Sequence, residues 1–264
     1  MSITALGSTL AEPVAANSAL DVFAAGNRRH AEFSIDGGAT WVNVTLPGGP
    51  SDAPILCCDQ DVIIDDARRV TFHSAPYLQR DQAGNPINGV VRIFVRCDLP
   101  AAACSYKIDP AGAADNIVPD YPHLGLTKRY LYLTMNATGA GGGFARIQRF
   151  NFDQMADCLT ITDLATFDQS FASFDQRVWI PAEGTNNIEA MYWGQLDNTT
   201  TFRIFQWREA AATPTSFTLM SHKIPENNYQ STARASPRGG VCRKPATALR
   251  GEEHERHRRL VSLG

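Results

Sequence analysis

The chain of 264 residues is short of charge: only 19% of it is Asp, Glu, Lys or Arg. Long apolar runs are missing as well. No stretch approaches the 18 residues that cross a bilayer as a helix. Residues 1–17 lack the basic-then-apolar order of a secretory leader, so none is visible. Zinc-type Cys-x-x-Cys spacing is absent, as are a Gly-x-Ser-x-Gly elbow, a phosphate loop and His-Glu-x-x-His. Long helices are disfavoured too, because 20 Gly and 15 Pro punctuate nearly the whole length. What remains is a chain that is 44% hydrophobic, ample for a buried core.

The net charge of −3 hides a split. Residues 231–264 carry eight basic residues against three acids, so this tail is +5 and the rest is −8. An acidic body repels nucleic acid and anionic membranes. The tail also loses all aromatic residues after Tyr229. It reads as a basic, disordered segment or as frameshifted text. Glu252-Glu-His-Glu-Arg-His257 within it reads as a solvated charge run.

Period-two alternation dominates the remainder. His30–Ser34 and 40–46 flank a tight Asp36-Gly37-Gly38 turn, which is a hairpin pattern. Residues 61–65 and 70–74 form a second. Further strands are expected at 89–96, 130–135, 144–150, 188–193, 200–207 and 216–220, with one short helical turn at 152–156. Three segments, starting near Asp59, Asp120 and Glu183, share one plan: an acidic or polar opening, a short apolar strand, a turn and a strand rich in β-branched and aromatic residues. A period of about 60 residues with one four-stranded sheet per period suits the blades of a propeller. The expected fold class is therefore all-β, a β-propeller, divided as an irregular segment 1–19, propeller text at 20–230 and the tail at 231–264.

Ser34-Ile-Asp36-Gly-Gly38-Ala-Thr40-Trp41 matches Ser-x-Asp-x-Gly-x-Thr-Trp at each fixed position and resembles the Asp box, or BNR repeat, of sialidase-like β-propellers. That resemblance implies a six- or seven-bladed parent fold and gives Ser34, Asp36, Gly38, Thr40 and Trp41 a structural role in an outer turn. More loosely, residues 59–65, 118–125 and 130–136 resemble uncharacterised bacterial secreted propellers. This implies an extracellular or cell-envelope setting and no known activity. At about 60 residues per blade, 20–230 supplies three to four blades, so an open, incomplete array with an exposed edge is expected.

A sialidase would need an arginine triad, a Tyr–Glu nucleophile pair and an Asp acid/base. No Arg-Ile-Pro motif precedes Ser34; Phe202-Arg203-Ile204-Phe205 lies late in the chain and lacks the Pro. Arg92, Arg146, Arg149 and Arg203 read as strand residues. The expected function is a glycan- or protein-binding module without assignable catalytic residues, the alternative being an exo-sialidase. Asp59, Asp61, Asp120, Tyr121 and Glu183 are the candidates for a channel or ligand face. Asp59, Asp61, Asp65, Asp66 and Asp120, recurring at blade openings, either cap strand ends and satisfy turn amides or hold Ca2+. No other cofactor is expected. Of the six cysteines, Cys97 and Cys104 flank a loop that a disulfide would close. Cys57 and Cys58 are expected to find distant partners, Cys158 among them, rather than each other.

Overall fold

The computed structural model describes residues 14–26, 30–97, 102–110, 116–139, 142–171, 179–198 and 201–220. The chain divides into two units, 1–222 and 223–264. All that follows concerns the first, and the expectations for 231–264 lie outside the described residues.

Seventeen strands make four antiparallel sheets among the described residues. Sheet 1 runs β1 (Val14–Ala16), β2 (Val22–Gly26), β3 (His30–Ser34), β4 (Val42–Asn43). Its first strand falls inside 1–19, the stretch expected to be irregular. Sheet 2 holds β5 (Ile55–Leu56), β6 (Asp61–Asp65), β7 (Val70–Arg80), β8 (Pro86–Cys97) and β9 (Cys104–Ile108). Sheet 3 comprises β10 (Val118–Leu126), β11 (Tyr130–Gly139), β12 (Gly142–Asn151) and β13 (Leu164–Phe171). Sheet 4 comprises β14 (Ile180–Pro181), β15 (Ala190–Asn198), β16 (Thr201–Arg208) and β17 (Thr215–Met220). Each sheet is a meander in chain order, with β5 and β6 sharing one edge of β7. The single short helix among the described residues, α1 (Phe152–Ala156), is capped by the Asn151 side chain, which accepts from the Gln154 amide at 3.0 Å.

The sheets stack face to face. Sheets 2 and 3 enclose Phe72, Ile93, Leu131, Leu133 and Phe152. Sheets 3 and 4 enclose Tyr132, Ile147, Trp179, Trp193, Phe205 and Trp207. Phe23, Phe33 and Val62 bridge sheets 1 and 2. A sheet covered on both faces needs apolar or satisfied side chains at every position. Accordingly 70–78 in β7 and 130–137 in β11 are buried without a break, whereas β13, covered on one face, alternates. Strands near the start of each sheet meet in succession: β1 against β6, β6 against β10 and β10 against β14. This all-β stack of meanders is propeller-like.

The cysteine pairing departs from expectation. Cys104 bonds Cys158, and Cys57 bonds Cys58. Register explains the first difference. Cys104 stands opposite Val95, so Cys97 lies two residues beyond it. Val95 and Cys104 both pack into the sheet 2–sheet 3 core, and the turn after α1 brings Cys158 to that side. The Cys97 thiol donates instead to the Ala156 carbonyl at 3.7 Å. Cys57 and Cys58 occupy the break between β5 and β6, where the chain leaves the ladder. Their neighbouring side chains meet there, and Cys158 is already bonded to Cys104 of sheet 2.

Candidate functional site

The Ser34–Trp41 turn is the outer hairpin of sheet 1. Ser34 Oγ donates to Asp36 Oδ1 (2.6 Å), Thr40 Oγ1 to Asp36 Oδ2 (2.6 Å), and the Thr40 amide to Asp36 Oδ1 (2.8 Å). Ser34 Oγ in turn accepts from the Gly38 amide at 2.8 Å, and Trp41 Nε1 donates to the Gly38 carbonyl at 2.9 Å. Gly38 has φ +90°, a conformation that side chains resist, and a Cβ there would meet the Trp41 ring. These donors, Ser34 first and then Thr40, hold the Asp36 carboxyl down at about 2. Every polar atom of this carboxylate is spent on its own turn, so the geometry is that of a staple.

The four sheets converge on a cavity of about 410 Å³. Sheet 1 contributes 14–16 of β1, sheet 2 contributes 61–64 of β6 with Asp66, sheet 3 contributes Leu124 and Leu126 of β10, and sheet 4 contributes 183–186 after β14. Carboxylates come from Asp61, Asp66 and Glu183; no Lys, Arg or His lines the cavity among the described residues. Asp61 Oδ2 accepts from the Leu124 amide of the neighbouring sheet (2.6 Å), and Oδ1 from its neighbour Val62 (2.8 Å). His123 Nδ1 stands 3.9 Å from the same carboxylate, its own pKa lowered by burial. Burial, assisted by the charge of Glu183, pushes the Asp61 carboxyl up to about 6 against the two amides that lower it. Asp66 Oδ1 accepts from the Ser18 amide (3.0 Å) and hydroxyl (2.9 Å), tying sheet 2 to sheet 1. Thr185 Oγ1 donates to the Leu126 carbonyl, tying sheet 4 to sheet 3.

The five expected face residues therefore separate. Asp61 and Glu183 line the cavity; Asp59, Asp120 and Tyr121 do not. Asp59 and Tyr121 occupy equivalent kinks, at φ +40° and +49°. The first precedes β6, and the second sits where β10 bulges between Asp120 and His123. Asp66, weighed in the sequence as a channel or Ca2+ acid, also lines the cavity. Thr185 was not among the candidates, because its burial against Leu126 is a contact across 59 residues of sequence.

The arginines serve the sheets. Arg146 pairs with Asp168 (2.6 and 2.7 Å), and Arg149 donates to the Arg208 and Glu209 carbonyls while covering Trp207. Arg92 reaches the Gly48 carbonyl, and Arg203 lies on β16, the third strand of sheet 4. No group of three or more His, Cys, Asp and Glu side chains is gathered as for a metal among the described residues.

No family model matches the chain, and no curated protein does. Among solved structures it is similar to a subtype N11 neuraminidase-like protein of A/flat-faced bat/Peru/033/2010 (H18N11). The match has 11% identity and a TM-score of 0.42, over 76% of this chain and 55% of that one. It is also similar to Zg3597, a family 117 glycoside hydrolase of the marine bacterium Zobellia galactanivorans. That match has 9% identity and a TM-score of 0.37, over 78% of this chain and 58% of that one. The chain thus spans little more than half the length of either.

Proposed function

We propose that this chain is a sialidase-like propeller module, part of a secreted or cell-envelope protein, that binds a glycan at the cavity where its four sheets converge. The observation that carries the reading is the lining itself. Residues from all four sheets face one space of about 410 Å³, with the polar side chains Asp61, Asp66, Glu183, Thr185 and Asn186 supplied by sheets 2 and 4 and an apolar wall by sheets 1 and 3, a volume that suits one or two sugar rings. Three carboxylates without a basic residue select against anionic sugars and for neutral or amino sugars, whose hydroxyls and amines donate to acceptors. Two disulfides accord with an oxidising compartment.

A glycan array followed by calorimetry tests this. Neutral or amino-sugar glycans are expected to bind, and Glu183→Ala, at an exposed position, is expected to weaken binding at least tenfold. Asp36→Asn is expected to bind as the parent does. Binding confined to sialylated glycans, or unchanged in Glu183→Ala, overturns the reading.

A second reading, a glycoside hydrolase of the exo-sialidase type, draws on one observation. A carboxyl held at about 6, as in Asp61, remains partly protonated near neutrality and suits a general acid. Turnover of a fluorogenic sialoside that is lost on Arg203→Ala would establish it in place of the binding module.

A further inference from the structure

We propose that the Cys57–Cys58 bond is a redox switch on the cavity, opened by a dithiol reductant and closed again by oxidation. Its effect on ligands rests on the glycan reading above; the switch itself does not. β5 and β6 are one edge strand of sheet 2 interrupted by a bulge. Cys57 continues the register of Ile55 with Leu78 and Leu56 with Tyr77, its amide donating to the Pro76 carbonyl at 2.9 Å. Pairing resumes at Asp61 opposite Ser74. Three residues, 58–60, therefore face Ala75 alone. The disulfide folds Cys58 against Cys57 where this excess begins, and Asp59 turns it at φ +40°. Past the excess, every side chain is committed. Nε2 of buried His73 donates to Gln60 Oε1 (2.8 Å), and Val62 joins the core between sheets 1 and 2. Asp61 turns to the cavity, where its Oδ2 accepts from the Leu124 amide of sheet 3 at 2.6 Å.

Two observations point to a switch. A bond between neighbours closes no loop of chain, so it takes little entropy from the unfolded state. Its effect is local, and the local path ends three residues on, at Asp61. The Cys104–Cys158 bond spans 54 residues and holds the fold, and the fold in turn protects it from reduction. The neighbouring pair lacks that protection. Both of its residues are also half-buried at a sheet edge, within reach of a small dithiol. In the step itself, one reductant thiolate attacks one sulfur and displaces the other as a thiolate. The second reductant thiol then closes on the first, leaving two cysteine thiols and one cyclic disulfide of the reductant. Two electrons and two protons pass to the pair. Once open, the ring no longer folds 58–60 on Cys57. The excess spreads along the edge, and Asp61 gives up the Leu124 amide.

The test exposes the full chain to graded ratios of reduced to oxidised dithiothreitol, without glycan. Site-resolved alkylation is expected to find Cys57 and Cys58 reduced at a ratio at least tenfold below that for Cys104 and Cys158. At that ratio, exchange of the Leu124 amide, which lies in a different sheet from the pair, is expected to quicken at least tenfold. The Phe205 amide of sheet 4 is expected to stay within twofold, and oxidised dithiothreitol to restore Leu124. A Cys57→Ser, Cys58→Ser double variant is expected to exchange Leu124 quickly without reductant, at a denaturation midpoint near the parent's. Should it fail to fold, the reversible reduction of the parent still decides. Reduction of all four cysteines together overturns the proposal, as does Leu124 exchange unchanged once Cys57 and Cys58 are reduced. Glycan affinity at the same ratio is read separately. Equal affinity in the two states overturns control of the cavity. Quickened Leu124 exchange with no glycan bound in either state upholds the switch and overturns only the glycan reading.

Discussion

Two buried titratable groups act against each other at the residue scale. The Asp61 carboxyl is raised to about 6 by burial, so its favourable contribution is complete below its ordinary value of 3.8 and is lost as pH rises through 6. His73, buried between the Phe23 and Phe94 rings, is lowered to about 3 by burial and then by the Arg96 charge. Its contribution is complete above the ordinary 6.5 and is lost as pH falls toward 3. Between pH 4 and 6 the two slopes oppose each other. Asp61→Asn removes one of them and keeps an oxygen for the Leu124 amide. Relative to the parent, the variant is expected to lose roughly 2–3 kcal/mol of stability between pH 6 and pH 4, measured by urea denaturation across that range. A parallel pair of profiles would refute the Asp61 assignment. Asp36 behaves oppositely to Asp61: its carboxyl sits at about 2, so its contribution is present above 3.8 and lost as pH falls toward 2. Asp36→Ala is expected to lower the melting temperature at pH 7, with the gap closing on acidification to pH 2. Its role was legible in sequence because the partners, Ser34 and Thr40, lie within four residues.

Elements owe their positions to close approaches between sheets. A Cβ on Gly125 in β10 would stand 2.6 Å from Pro181 Cβ and 2.7 Å from the Met191 side chain, both in sheet 4. Pro181 is rigid and buried, so Gly125→Ala is expected to cost about 1–3 kcal/mol, read from the denaturation midpoint. Gly194→Ala on β15 meets the Phe202 ring, which is partly exposed and free to swing away; a smaller cost is expected there. Tyr121 offers a test of opposite sign. Its φ of +49° is costly for an aromatic residue, and Tyr121→Gly is expected to stabilise the chain by about 1 kcal/mol. Strands that alternate or run apolar, such as β6, β7, β8, β11 and β12, were expected from period and turn residues. The sequence reading passed over β1, β2, β5, β9, β13 and β14. Three of these, β1, β5 and β14, have only two or three residues, too few to display a period, and β13 reads as a mixed polar run because only one face is covered.

Ties between sheets decide stability at the scale of the whole molecule. The Cys104–Cys158 bond joins sheet 2 to the turn after α1 across 54 residues. Chain entropy for a loop of that size puts its loss at about 4 kcal/mol, and Cys158→Ser is expected to show this in denaturant. Glu209 supplies a polar tie. It is buried, and its Oε1 accepts from Thr127 Oγ1 and from the Arg129 amide, both at 2.7 Å, joining sheet 4 to sheet 3. Neither was anticipated. Cys97 is closer to Cys104 in sequence than Cys158 is, and nothing local to Glu209 marks it as buried.

The sequence alone determined what depends on neighbours along the chain. Period-two alternation specified an all-β chain, the Asp36 turn specified its own staple, and the spacing of 59, 120 and 183 placed the openings of three successive repeats. Which acids meet was decided only when the sheets stacked. Asp61 and Glu183 reached the cavity while Asp59 and Asp120 were held at the kinks. The same stacking selected the partner of Cys104 and buried Asn136 beside Asp120. Contacts between residues some 15 to 120 positions apart leave no periodic trace in either segment, so only the packed structure brings them together.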